Sequence, residues 1–161
     1  MAIHKLASFK GADNQVFEYS DTLSLPVDTA TYTDVHVGDI VKVGDILGVL
    51  MTEVAPTAAK IAEMSEVYGW VPRSKPTYGL NGPGYASLRV HGGVFKFTVA
   101  HTDAEPVGTK VYAIAGGTGK GLALTTDSTA VGAEVFGWLY NAAPAGSTSD
   151  SLPVVFDTRL A

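Results

Sequence analysis

The sequence predicts an all-β fold, a small sandwich or barrel of short strands. Apolar and polar residues alternate with a period of two in one segment after another, which is the pattern of a strand with one buried face. The 161 residues include 18 glycines and 8 prolines, and so many turn-forming residues favour short elements over long helices. Candidate strands recur about every 10–12 residues, a spacing typical of sandwiches and barrels.

The alternation justifies each strand in turn. In the segment 92–101, for example, Phe95, Phe97 and Val99 fall on one face, and polar side chains occupy the other. β-branched and aromatic residues fill the other segments, and turn residues separate them. The segments predicted as strands are 15–20, 29–39, 92–101, 110–114, 121–126, 134–140 and 152–157.

A near-repeat separates the first strands from the rest. VGDIV at 37–41 and VGDIL at 43–47 begin six residues apart. Each Gly-Asp pair is suited to a tight turn, because glycine accepts a positive φ and aspartate bonds its own backbone. A calcium pair at Asp39 and Asp45 is the alternative, but no further oxygen ligands are spaced around them and hard cations need six or more. We therefore predict turns, flanked by strands of Val and Ile.

The region 55–87 differs from the rest of the chain. PTAAKIAEMSE at 56–66 has helical spacing and predicts two or three turns of helix. The stretch after it is rich in proline, glycine and aromatic residues. It predicts a long loop that leaves the β core and whose aromatic side chains pack against another surface. The predicted organisation is an N-terminal arm or first strand at 1–20, followed by a single β-rich domain at 21–161 that carries this insertion.

Composition excludes several function classes. The net charge is −5 and the basic residues form no block, so we expect no direct contact with nucleic acid. The absence of cysteine excludes disulfides and thiolate metal sites. No apolar run approaches the length of about 18 residues that a membrane span requires, and the first 15 residues lack the apolar run of a secretory signal.

The segment AIAGGTGKGLAL at 113–124 looks at first like a phosphate-binding loop. That motif requires Gly, four residues, then Gly-Lys-Ser/Thr, with a helix following. If Gly119 and Lys120 filled its second half, the first glycine would be at position 114 and the hydroxyl at position 121. Those residues are Ile114 and Gly121, and an alternating segment follows. The sequence instead predicts a hairpin of strands 110–114 and 121–126.

Few other motifs for cofactor attachment, metal binding or catalysis occur in the sequence. The stretch 36–50 is similar to the hairpin of biotinyl and lipoyl carrier domains, but no lysine follows at the turn where such a domain carries its cofactor, and the next is Lys60. The four histidines form no metal-binding pair, and no serine lies in a nucleophile elbow. The sequence predicts no cofactor and no metal. A carrier-type or carbohydrate-binding β module and a small hydrolase without a recognisable motif remain alternatives.

The order of features from about residue 33 resembles the head decoration, or capsid cement, proteins of tailed bacteriophages. The resemblance covers roughly two thirds of the chain, and its order and spacing carry it, because each segment is weakly specific. The chain departs from the family pattern at 51–87, which is longer than usual. The matching segments are VHVGDIVKVGDILGVL (35–50), HGGVFKFTV (91–99), GTKVYAI (108–114), GLALTT (121–126), VFGWLYNAA (135–143) and LPVVFD (152–157).

The resemblance implies a structural protein rather than an enzyme. It implies a protein made in the host cytoplasm that binds the outer surface of an assembled capsid, often as a homotrimer, and bridges neighbouring major capsid subunits. Two regions are candidates for partner contacts: the apolar N-terminal arm, which could add a strand to a neighbouring sheet, and the aromatic insertion. The candidate contact residues are Ile3, Leu6, Phe9, Phe17, Tyr19, Tyr68, Trp70, Tyr78 and Tyr85.

Overall fold

The computed structural model describes residues 22–56, Ala59 and 84–157, and it is nearly all β within those residues, as the sequence predicts. No helix in this part of the chain is long and apolar enough to cross a membrane. The strands are β1 (Thr22–Pro26), β2 (Ile40–Val43), β3 (Ile46–Leu50), β4 (Tyr85–Arg89), β5 (Val94–Ala100), β6 (Lys110–Ile114), β7 (Ala123–Thr125), β8 (Glu134–Leu139) and β9 (Ser149–Phe156).

The strands form two sheets. The first has four antiparallel strands in the order β1-β4-β3-β2, and the second is a closed barrel in the order β5-β7-β6-β8-β9. β5 and β7 pair in parallel, whereas the other barrel neighbours are antiparallel. The barrel closes through short pairings, because β7 pairs with β5 only at Val99 and Ala100.

The hairpin of β2 and β3 joins the two hydrophobic cores. Ile40, Leu47 and Val49 belong to the barrel core, in which Phe136 and Phe156 are fully buried. Val41 and Leu50 belong to the core of the four-stranded sheet. The alternation of side chains along β2 therefore sends one face to each core, and the same short segment stabilises both layers.

The Gly-Asp turns are confirmed. Gly44 has a φ of 60° and forms, with Asp45, the two-residue connection between β2 and β3. Gly38 has a φ of 96°, and the N–H of Asp39 donates to the carbonyl of His36 at 3.0 Å. The Asp39 carboxylate accepts from the N–H of His36 at 2.9 Å. Both positions require glycine because residues with a Cβ rarely adopt such φ values.

The prediction of a strand at 29–39 is wrong, because these residues form turns and bends. The Asp28 carboxylate accepts hydrogen bonds from the N–H of Ala30 and the hydroxyl of Thr31, and its carbonyl accepts from the N–H of Tyr32. Such local hydrogen bonds compete with a sheet ladder. Val35 is buried but Val37 is 54% exposed, so the two valines do not share a face as they would in a strand.

The remaining strands beyond residue 90 agree closely with the prediction, and Phe95, Phe97 and Val99 turn towards the barrel core. β1 and β4 were not predicted. β4 lies partly inside the region interpreted as an excursion, which therefore ends before Tyr85 rather than at residue 87. The predicted strand at 15–20 lies outside the described residues, as does nearly all of the predicted helix at 56–66.

Candidate interaction surface

The outer face of the barrel carries neighbouring apolar side chains on three adjacent strands. Val94 of β5 pairs with Val155 of β9, and Val155 also pairs with Trp138 of β8. Directly paired residues project to the same side of a sheet, so these three side chains lie next to one another. Val94 is 52% exposed, and Val155 and Trp138 are half-buried although they point away from the core.

The apolar strip continues along β9. Pro153 lies two residues before Val155 and therefore on the same face. The N–H of Tyr140 donates to the carbonyl of Pro153 at 2.9 Å, which places Tyr140, whose side chain is 58% exposed, beside it. We call this set the outer barrel row; it consists of Val94, Trp138, Tyr140, Pro153 and Val155.

Two lysines flank the outer barrel row. Lys96 pairs with Pro153 across β5 and β9, and Lys110 pairs with Trp138 across β6 and β8. Both lysines are exposed. An apolar strip rimmed by positive charge on an acidic protein is suited to a protein partner that presents apolar side chains beside carboxylates.

Of the contact residues predicted from the sequence, Tyr85 is the one that lies within the described residues. Tyr85 opens β4 in the four-stranded sheet, where it is half-buried and its carbonyl accepts from the N–H of Ala55 at 2.9 Å. Tyr85 thus belongs to a strand and not to the row on the barrel. The other predicted contacts, Ile3, Leu6, Phe9, Phe17, Tyr19, Tyr68, Trp70 and Tyr78, lie outside the described residues.

The glycine-rich loop after β6 connects the barrel to the four-stranded sheet. β6 and β7 form the predicted hairpin, and a strand follows the loop where a phosphate site would need a helix. The N–H of Leu122 donates to the carbonyl of Ile40 at 2.7 Å, and the N–H of Asp34 donates to the carbonyl of Gly119 at 2.9 Å. The backbone of this loop is therefore engaged in holding the two layers together.

Lys120 adds an ion pair to this junction rather than projecting free of the protein. Its ammonium group bonds the Asp34 carboxylate, which raises the pKa of Lys120 above 10.5 and lowers that of Asp34 below 3.8. Both side chains remain at least half exposed, at 59% and 50%. Solvent weakens an ion pair of that kind.

We predict that Lys120→Ala leaves the stability of the protein almost unchanged, because the pair is exposed and the backbone bonds of the loop persist. Urea unfolding monitored by tryptophan fluorescence would check this. A large shift of the unfolding midpoint would show that the ion pair holds the junction together.

The most buried titratable side chain in the described residues is His101, at the end of β5. Its Nε2 lies 2.8 Å from Oδ2 of Asp150, and its Nδ1 lies 2.9 Å from the carbonyl oxygen of Asp103. The hydrogen bond to Asp150 raises the pKa of His101 above 6.5, with a further contribution from the Asp103 carbonyl and against the opposing effect of burial. Since both ring nitrogens are engaged, neither is available to take a proton from a nucleophile.

His36, in contrast to His101, is exposed. His36 lies 3.2 Å from the Asp34 carboxylate through Nε2 and 3.4 Å from the Glu53 carboxylate through Nδ1, and its side chain is 70% exposed. Among the described residues, no group of three or more His, Asp or Glu side chains is arranged to hold a metal ion. The arrangement around His36 is an exposed imidazole between two carboxylates.

Comparisons with known proteins add no relative. Neither a family model, nor a curated protein, nor a solved structure matches this chain. The outer barrel row was missed in the sequence because its members occupy the positions that the alternation assigns to the polar face. The one available signal was that valine, tryptophan and tyrosine stand at those outward positions of the segments 134–140 and 152–157.

Proposed function

We propose that the protein is a structural decoration protein of a tailed-bacteriophage head. In this proposal it binds the outer surface of the assembled capsid, bridges neighbouring major capsid subunits and stabilises the shell. It acts as a homotrimer, and it uses no cofactor and no catalysis. The observation that carries the proposal is the outer barrel row, an exposed apolar strip rimmed by Lys96 and Lys110 on a protein of net charge −5.

The resemblance to the decoration family supplies the second support. The segment 35–50 contains the β2–β3 hairpin, and the five later segments overlap β5, β6, β7, β8 and β9 in order. The matching residues are therefore the strands that build the barrel and join it to the other sheet. A likeness distributed over the whole barrel favours a shared architecture over a chance match of one motif.

The layered construction suits a mechanical role. A protein that bridges capsid subunits must transmit force through its own fold. The force that separates its two sheets must therefore exceed the force that separates it from the capsid. The backbone bonds of Leu122 to Ile40 and of Asp34 to Gly119 connect the two layers here, and the Lys42–Glu134 ion pair adds a further link between β2 and β8. Binding that is specific to assembled heads stabilises them by mass action.

The proposal predicts that substitutions in the outer barrel row weaken binding to heads. In Val94→Asp/Tyr140→Asp, two carboxylates replace apolar contacts, and we expect at least about a tenfold loss of affinity for purified empty heads. Co-sedimentation at a series of protein concentrations measures the affinity, and retarded disruption of the heads by heat measures the stabilisation. Val131→Asp is the matched control, because Val131 is 95% exposed in the loop between β7 and β8.

The outcomes separate the two parts of the proposal. If the wild-type protein sediments apart from heads under all conditions, the decoration function is wrong. If the wild type binds and the double variant binds equally well, decoration stands but another surface makes the contact. Circular dichroism of each variant confirms that the loss of binding does not come from unfolding.

A further inference from the structure

The environment of His101 fixes its protonation state. The Asp103 carbonyl can only accept a hydrogen bond, so Nδ1 must carry a proton. Nε2 faces a carboxylate oxygen at 2.8 Å, and a proton must lie between them for that contact to be favourable. With Asp150 ionised, both ring nitrogens donate, and the buried ring is an imidazolium cation. Its side chain is 0% exposed, whereas that of Asp150 is 30% exposed.

His101 also connects separate segments of the barrel end. It is the residue after β5, Asp150 lies in β9, and Asp103 lies in the loop that leads to β6. The N–H of His101 donates to the carbonyl of Thr148 at 3.0 Å, which continues the β5–β9 pairing beyond Ser149. One cation therefore holds two strand ends and a loop at the same point.

Two further carboxylate residues line the space beside the imidazolium. Glu105, from the same loop, and Asp127, from the turn after β7, line a cavity of about 560 Å³ together with His101. The Glu105 carboxylate accepts from the hydroxyls of Thr109 and Thr126 at 3.4 and 3.2 Å. When His101 loses its proton, Asp150 and Glu105 lose the cation with which both carboxylates interact.

We propose that His101 is a pH-sensitive latch that holds this end of the barrel closed while its imidazole is protonated. On deprotonation the ring keeps one N–H, on Nε2 facing the Asp150 carboxylate, and Nδ1 presents a lone pair to the Asp103 carbonyl, so that contact becomes repulsive. The bond to Asp150 is no longer an ion pair, the Asp103 carbonyl turns to solvent, and the segment 101–105 separates from β9. The rest of the barrel, closed by the aromatic core, keeps its structure.

The direction of the effect follows from linkage. The folded protein holds the His101 proton more tightly than the unfolded chain does, so the stabilisation is fully present below about pH 6.5 and is lost as the pH rises through the folded-state pKa. Each unit of difference in pKa between the closed and open states changes the opening equilibrium by about tenfold.

Amide hydrogen exchange between pH 6 and 9, corrected for the intrinsic rate at each pH, tests the latch. We expect the protection factor of the His101 N–H to fall by at least about tenfold over this range, in step with a ring-proton titration of His101 by NMR. The Gly92 N–H, which donates to the Phe156 carbonyl at the other end of the β5–β9 pair, is the internal control and should keep its protection.

Two variants complete the test. Asp150→Asn replaces the carboxylate by an amide that can donate to a neutral imidazole, and we expect it to remove the pH dependence of protection at His101. His36→Gln, at a histidine that is 70% exposed between two carboxylates, should leave that dependence intact. A flat protection profile in the wild type, an equal fall at Gly92 and His101, or an unchanged slope in Asp150→Asn would each overturn the proposal.

Discussion

Phe136→Ala is expected to destabilise the protein by about 3–5 kcal/mol, a large part of the total stability of a domain of this size. The Phe136 side chain is fully buried, its ring stacks on Phe156 at 4.6 Å between centroids, and it meets Phe97 edge-on at 5.5 Å. Removing it leaves a cavity where β5, β8 and β9 bring their core phenylalanines together, and the closed barrel cannot collapse to fill it.

The measurement is urea unfolding at a pH below 6.5, where His101 is protonated in every variant. Phe136→Leu is the matched control, because it keeps most of the buried volume and loses the ring stacking, and we expect it to cost about 1–2 kcal/mol. If the alanine variant lies within about 1 kcal/mol of the wild type, the aromatic cluster is not the centre of the barrel core.

The barrel strands could be predicted from the sequence because apolar and polar residues alternate clearly along them. Phe95, Phe97 and Val99 alternate with polar residues, and the strand that contains them was placed to within a few residues. Strands β6 to β9 agree for the same reason. The segment 29–39 was misassigned because β-branched residues are common in turns too, and the hydrogen bonds of Asp28 decide the local conformation.

The strands β1 and β4 and the outer barrel row could not be predicted by the same argument. β4 follows a run of glycine and proline, and its alternation of Ala86 and Leu88 is too short to stand out. The outer barrel row depends on which residues lie side by side across three strands. The alternation within one strand does not show which residues of a distant strand pair with it. Val94, Val155 and Trp138 are 17 to 61 residues apart in the chain.

Contacts between residues distant in the chain also explain why the sequence did not distinguish the role of His101 from that of His36. His101 and His36 both stand near carboxylates, but only the fold brings Asp150, 49 residues away, to the ring of His101 and buries the pair. Burial and a distant partner together turn one histidine into a structural cation, while the other stays on the surface.

Gly116→Ala is expected to destabilise the junction between the two sheets by about 1–3 kcal/mol. A Cβ at position 116 would lie 1.9 Å from the carbonyl oxygen of Gly121 and 3.1 Å from its carbon, and both are backbone atoms that cannot rotate away. The loop must therefore shift at Gly121, the residue before the Leu122 N–H that bonds Ile40. We expect the four-stranded sheet to be destabilised as well, because that hydrogen bond connects it to the loop.

Gly117→Ala is the control from the same loop. Its Cβ would meet only Cγ of Lys120, at 3.6 Å, and its φ lies outside the left-handed region. The extra methyl group then restricts the unfolded chain more than the folded one, so the variant should be as stable as the wild type or slightly more stable.

Amide exchange distinguishes a local effect from a general one. In Gly116→Ala, the Leu122 and Asp34 N–H groups should lose protection before the Gly92 N–H does, because the first two lie at the junction and the third lies at the far end of β5. Equal stability of the two alanine variants would mean that the loop adapts freely, and the glycines would then need another explanation. Selective loss at the junction would instead identify the segment 115–121 as the structural connection between the layers, with glycine required at 116 and 121 because backbone atoms approach those two positions too closely for a Cβ.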